Sequence, residues 1–250
     1  MSFRALFYIL FCLIAVPASA QESAKSPANT EGASALPTAL KELREFIDAQ
    51  QDMDFQTTFH GTSNVLDTTT QGTGQFTTRR PNLFRIKASS GANAYEYISD
   101  GTILTIYNVH TNAYAQTAAR PSVIGNMTLI AGLMSFQARI FDFFAALDQA
   151  AAGGGGVKIT AKGTESVGGR ECDRFDVVTM TEKWESWVEK AAPHLPCKLA
   201  SSDVDDPSAM VQVNEFTWKK APSIDTATFQ FSPPHGSKQL DIGTLLATPQ

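Results

Sequence analysis

From residue 54 onward, apolar residues recur at every second position in one short segment after another, and that period commits most of the chain to β-structure. Phe55-x-Thr57-x-Phe59 alternates, and 72–77 runs into Arg79-Arg80-Pro81. Residues 83–88, 94–99 and 103–109 are each of strand length. Val157-x-Ile159-x-Ala161 alternates with Lys158, Thr160 and Lys162. Phe175-x-Val177, 184–190, 197–202 and Val211-x-Val213 complete a set of about ten or eleven short strands separated by turn residues. Such a series predicts a mainly β (α+β) domain, an antiparallel meander curling toward a barrel.

Two segments break the period. Leu36, Leu40, Leu43, Phe46 and Ile47 fall at helical spacing, with Pro37 in the first turn, where proline is tolerated. Residues 121–152 carry Val123, Met127, Ile130, Leu133, Phe136, Ile140, Phe141, Phe144 and Leu147 and end in four glycines, 153–156. They read as two consecutive helices broken near 132–135. The 18 residues 121–138 hold no charge, but Asn126, Thr128 and Gln137 dilute them and Arg139 and Asp142 follow at once, against a membrane span of ~20 apolar residues. Periodicity leaves two uses open: ordinary core over the sheet, or a movable cover over a cavity.

The ends of the chain predict an address. Residues 1–20 hold one charge, Arg4, then an uncharged apolar stretch and the small triplet Ala18-Ser19-Ala20, the pattern of a secretory signal peptide cleaved after Ala20. Residues 21–35 are polar and small and read as a disordered leader. That leaves a folded domain over 36–243 and a tail over 244–250. Loss of Arg4 moves the net charge from −5 to −6. A mildly acidic chain with scattered charges carries no footprint for nucleic acid.

Little in the sequence announces chemistry. His60, His110, His194 and His235 are far apart, and none has a second His or Cys at metal-ligand spacing. Nucleophile-elbow, zinc-protease, dinucleotide and phosphate-loop patterns are absent. Asp205-Asp206 and the pair Glu182 and Glu185 read as solvated turn and edge positions. No catalytic residue, metal or cofactor is expected. Cys12 leaves with the signal, and Cys172 and Cys197 remain for an oxidising compartment. In a regular meander a strand separates them, ~9–10 Å apart, beyond the ~7 Å that a disulfide spans. A bridge needs 191–196 to bend, and the sequence leaves both outcomes open.

Three motifs occur in order: Arg80-Pro81-Asn82-Leu83-Phe84, Ser99-Asp100-Gly101 before the apolar run 103–107, and Phe229-x-Phe231-x-Pro233-Pro234-x-Gly236. Together they resemble the periplasmic lipoprotein carrier LolA/LolB-like superfamily, and most of all an uncharacterised periplasmic domain family of that fold. The segment Trp184-x-x-Trp187 followed by Leu195-Pro196-Cys197-Lys198 is closer to that second family than to the carrier itself. The resemblance implies a half-barrel whose concave face is covered by helices, working as a periplasmic, monomeric, non-enzymatic binding protein. The ligand it implies is hydrophobic, the acyl chains of a lipid or lipoprotein, with a membrane-associated protein as partner. Leu83, Ile86, Leu104, Ile106, Leu133, Phe136, Ile140, Phe141 and Phe144 would line the site. Arg80 would latch the cover, since a guanidinium offers five donors to helix carbonyls, while Arg79 would face the other way. A ligand-free sensor or interaction scaffold of the same fold is the alternative.

Overall fold

A computed structural model describes residues 36–247, apart from 66, 92, 135–137 and 209. The expected signal peptide, leader and Phe136 lie outside the described residues. Among the described residues β1 (Asp52–Ser63), β2 (Thr68–Arg79), β3 (Leu83–Ser90), β4 (Asn93–Asp100), β5 (Ile103–Asn108), β6 (Ala113–Ala118), β7 (Lys158–Val167), β8 (Arg170–Val178), β9 (Glu182–Glu189), β10 (Pro196–Asp203), β11 (Met210–Trp218) and β12 (Lys238–Gln239) form a single sheet in the order β12-β6-β5-β4-β3-β2-β1-β11-β10-β9-β8-β7. Two meanders build it: β1 (Asp52–Ser63) to β6 (Ala113–Ala118), and β7 (Lys158–Val167) to β11 (Met210–Trp218). They join where β1 pairs antiparallel with β11, Phe55 lying opposite both Trp218 and Phe76. The Phe55 ring stacks on Phe76 at 4.7 Å and sits 4.5 Å from Trp218, so the seam is sealed by cross-strand aromatics. The sheet does not close on itself, so the domain is mainly β and an incomplete barrel.

This topology dictates where the helices go. β6 and β7 lie at opposite ends of the sheet, so the chain between them must cross a whole face. It does so as α2 (Val123–Met134) and α3 (Arg139–Ala151), helices apolar enough to bury against strands. α1 (Thr38–Ala49) packs beside α3 through Leu40, Leu43 and Ile47, and Arg44 reaches Asp148 at 2.6 Å. Beneath them Phe84, Ile86, Leu104, Ile106, Phe175 and Trp184 form the inner core, each 5% exposed or less.

The last motif covers the other face. A 3-10 turn, Thr226–Phe229, is capped by Asp225 and buries Phe229 completely against Arg79, whose guanidinium lies 5.6 Å from the ring. Phe231 packs on Tyr107 and Tyr114 at 5.8 and 5.0 Å. After the two prolines β12 (Lys238–Gln239) pairs in parallel with β6. A short helix, α4 (Ile242–Ala247), then buries Leu245. The boundary expected at 243 lies within this helix.

Cys172 and Cys197 are bonded across β9, with Cα atoms 6.9 Å apart. The regular spacing expected for β8 (Arg170–Val178) and β10 (Pro196–Asp203) fails because the register slips between Pro196 and Lys198. Cys197 sits in that bulge, free of the ladder, and turns toward Cys172. Trp187 packs against the bonded pair.

Candidate ligand-binding site

The Arg-Pro-Asn-Leu-Phe motif is the anchor of the helical cover. Asn82 donates to Gly101 O and Arg120 O, at 2.8 and 3.0 Å, tying two strand turns to the segment that enters α2. Pro81 O accepts from Val123 N, the first amide of α2. Asn126, fully buried, closes the entry by accepting from Arg120 N and donating to the Arg120 and Ser122 carbonyls. The Asp100-Gly101 turn is equally specific. Asp100 Oδ1 accepts from both Thr102 N and Ile103 N at 2.8 Å, and Gly101 holds φ +96°, a backbone conformation that suits glycine.

Arg80 grips a helix, and the helix is α1. Its Nε donates to Gln50 O and its Nη2 to Ile47 O, each at 3.1 Å, carbonyls at the end of α1, and Nη2 lies 3.7 Å from Asp48 Oδ1. The expected contact with the helices of 121–152 is replaced because α1, threading past the end of β2 (Thr68–Arg79), reaches the guanidinium first. Arg80 nevertheless borders them. With Pro81, Val123, Phe141 and Phe144 it lines a small cavity of about 120 Å³ between α1, α2 and α3. Arg79 faces the other way, paired with Asp52 at 2.7 and 2.9 Å and with the C-terminal strap.

A larger cavity, about 310 Å³, opens on the inner face between β1–β4, β11 and the start of α3. Its floor is apolar: Phe76, Tyr97, Ile140 and Phe216, all 3% exposed or less. Its rim is polar, with Thr70, Ser89, Ser90, Asn93 and Gln212. The register orders these along the barrel. On β11, Phe216 lies opposite Thr57, deep in the sheet, whereas Asn214 lies opposite Phe59, two residues nearer the rim. Burial drives the Tyr97 hydroxyl well above its usual pKa, so it stays a neutral phenol. Over the cavity, Arg139 at the head of α3 is ion-paired with Glu182 and stands 5.9 Å from the Trp184 ring. Glu182 and Glu185 are thus not edge positions. β9 (Glu182–Glu189) is an interior strand, and Glu185 pairs with Arg174 at 2.6 Å.

The expected lining residues divide. Ile140 lines the larger cavity, and Phe141 and Phe144 the smaller one. Ile86, Leu104 and Ile106 are buried under the helices, with Leu133 packed against that core. Leu83 is a correction: it lies three residues from Ile86, hence on the opposite face of β3 (Leu83–Ser90), while Phe84 takes the inner position. Tyr95, Tyr97, Arg139, Asn214 and Phe216 were missed. The alternation of Val211 and Val213 drew attention to one phase of β11, yet its other phase, Gln212 and Asn214, faces the cavity. A run of polar residues alternating with valine was the available signal. Among the described residues no cluster of His, Cys, Asp and Glu could hold a metal ion, and no helix is long and apolar enough to cross a membrane.

The structure is thus an open, mainly antiparallel half-barrel with helices across one face and an aromatic-floored cavity. A family profile described as "Predicted periplasmic protein (DUF2092)" matches residues 37–243, and this chain belongs to that family. No curated protein matches it. Among solved structures it is similar to an uncharacterised conserved protein of Thermus thermophilus, at 10% identity and TM-score 0.46 over 81% of this chain and 97% of that one. It is also similar to LprF of Mycobacterium bovis, at 11% and 0.43 over 76% and 97%, and to the lipoprotein LppX of Mycobacterium tuberculosis, at 12% and 0.37 over 76% and 99%. At these scores the likeness carries nothing about ligand or partner.

Proposed function

We propose that this periplasmic domain is a non-enzymatic binding protein, acting as a single chain, that holds part of an acyl chain under α2 and α3. Export would rest on residues 1–20 as a cleaved signal peptide, and delivery on a membrane-associated protein partner. One observation carries the reading. A cavity of about 310 Å³ opens beneath the head of α3, floored by aromatic and aliphatic groups. That is the low end of the ~300–1,000 Å³ common for ligand sites, enough for one chain segment. Each methylene buried there is worth ~0.8 kcal/mol. More acyl material would require α2 and α3 to move off Ile86, Leu104 and Ile106.

The same packing favours a second reading. Those three residues are at most 1% exposed, as in a scaffold that binds proteins through its surface. Organic extraction and mass spectrometry of protein purified from periplasm separates the two. We expect an acyl lipid that stays with the protein in native mass spectra and leaves on unfolding. Protein that arrives empty and takes up no lipid from detergent-solubilised membranes would overturn the carrier and leave the scaffold.

A further inference from the structure

The strand register gives the larger cavity its shape. Residues directly opposite on neighbouring antiparallel strands share a face, so the inner face divides into rows that run across β11, β1, β2, β3 and β4. One row is Trp218, Phe55, Phe76, Ile86 and Tyr97, all large, and Phe76 and Tyr97 close the deep end of the cavity. The next row toward the rim is Phe216, Thr57, Gly74, Ala88 and Tyr95, and all five line the cavity. Its ends are aromatic and its middle three are small. The hollow therefore lies on the short side chains and stops at the tall row behind them.

The three small positions are not equivalent. A Cβ on Gly74 would come within 2.7 Å of the Phe76 ring and 3.0 Å of the Thr57 methyl, so the space over Gly74 is already taken. Thr57 is 7% exposed, and its hydroxyl donates to Thr58 O. Ala88 is half-buried, stands on the inner face between Gly74 and Tyr95, and contributes a single methyl to the lining. A larger side chain there would grow into the cavity rather than into packed neighbours. The mouth is polar, with Thr70, Asn93 and Gln212. Thr70 stands four residues from Gly74 on β2, ~14 Å at ~3.4 Å per residue, so the depth open to a hydrocarbon is finite.

Resting on the carrier reading, we propose that the acyl chain enters methyl end first and stops at the row of Phe76 and Tyr97, and that Ala88 is the residue that sets how long a chain the cavity takes. The polar end stays at the mouth. A chain that outruns the depth leaves its surplus methylenes in water, where they add nothing to affinity.

The test is displacement of the neutral dye N-phenyl-1-naphthylamine from the purified exported protein by 1-monoacylglycerols of increasing length, octanoyl to palmitoyl, each below its micellar concentration. In wild type, affinity should rise about fourfold per methylene while the added carbon is buried, and then level off. Ala88→Leu should bring the plateau earlier by about three carbons, as many as the substitution adds, with the shortest chains bound as in wild type. Ala88→Val, a residue that strands favour, should bring it earlier by about two and decides the matter if the leucine variant folds poorly. Lys87→Leu, at the outward-facing neighbour, should leave the series unchanged. Affinity that climbs without a plateau in wild type, a plateau that stays in place in both Ala88 variants, or one that moves as far in Lys87→Leu would overturn this inference and leave the carrier intact. Failure of the dye and every glyceride to bind wild type would overturn the carrier reading too.

Discussion

Arg80→Leu removes two charge-assisted bonds to the last carbonyls of α1, at 3.1 Å each. Its side chain is 44% exposed, so water competes for both, and the pair is worth about 1–2 kcal/mol together. A cation at a helix C-terminus adds a few tenths more. That loss makes undocking of α1 roughly 5–30 times more frequent, and hydrogen exchange measures it directly. Amides of α1 around Leu43 and Ile47 should exchange faster by that factor, with the strand amides of β1 and β2 unmoved. Because α1 walls the smaller cavity and holds α3 through Arg44 and Asp148, binding of a hydrophobic dye should rise as well. Faster exchange confined to α2 and α3 would show that Arg80 secures the crossing helices instead. A uniform increase would show a global loss of stability, and either result refutes the mechanism. Arg79→Leu is no neutral comparison, since it breaks the Asp52 pair and frees the C-terminal strap. Lys87→Leu, at a lysine 53% exposed and 3.9 Å from Glu96, is the better control.

Replacing Cys172 and Cys197 together with alanine opens a loop with a sequence separation of 25, which costs about 3–4 kcal/mol on the chain-entropy account. A urea midpoint unchanged from the oxidised wild type would contradict this. Asp52→Asn should lower the melting temperature near neutral pH, because the Arg79 hydrogen bonds hold the Asp52 carboxyl below its ordinary pKa. A depressed carboxylate stabilises above its unfolded pKa of about 3.9 and loses that contribution as pH falls through its folded value, so the two proteins should converge below about pH 4. A difference that persists at about pH 2 would mean that the asparagine disturbs packing rather than charge.

The β-rich class and the crossing helices were legible because period alone decides them. Segments such as Phe55-x-Thr57-x-Phe59 and Val157-x-Ile159-x-Ala161 alternate, while Ile140, Phe141, Phe144 and Leu147 recur at helical spacing. Phase was harder. Leu83 and Ile86 look equivalent in composition, yet a strand turns over at each residue and only one can face inward. The disulfide was undecidable from spacing because a bulge at Cys197 displaces one residue out of the ladder, a local event with no compositional mark. The partner of Arg80 was hidden for another reason. Which helix meets a strand end depends on chain threading, and α1 lies about thirty residues earlier in the sequence. The cavity lining suffered most, since its polar members, Asn214 and Arg139, are residue types more often found at a surface.

The two helices that cross the inner face begin beside different cavities and are held unequally. The start of α2 is fixed by Pro81, Asn82, Ser122 and Asn126 through a network in which Asn126 alone makes three bonds. The start of α3 has Ala138 at its cap position, with no side chain closing the first turn, and relies on the Arg139–Glu182 pair. The start of α2 borders the smaller cavity through Ser122 and Val123, and Ile130 is buried further along the helix. The lightly held end lies over the cavity, to which Ala138, Arg139 and Ile140 belong. Displacing the head of α3 breaks one ion pair and exposes Ile140, Phe141 and Phe143, whereas displacing the head of α2 breaks the hydrogen-bond network as well as exposing Val123 and Met127. Fewer polar contacts therefore hold the start of α3 than the start of α2, and its position depends more on the apolar packing of Ile140, Phe141 and Phe143.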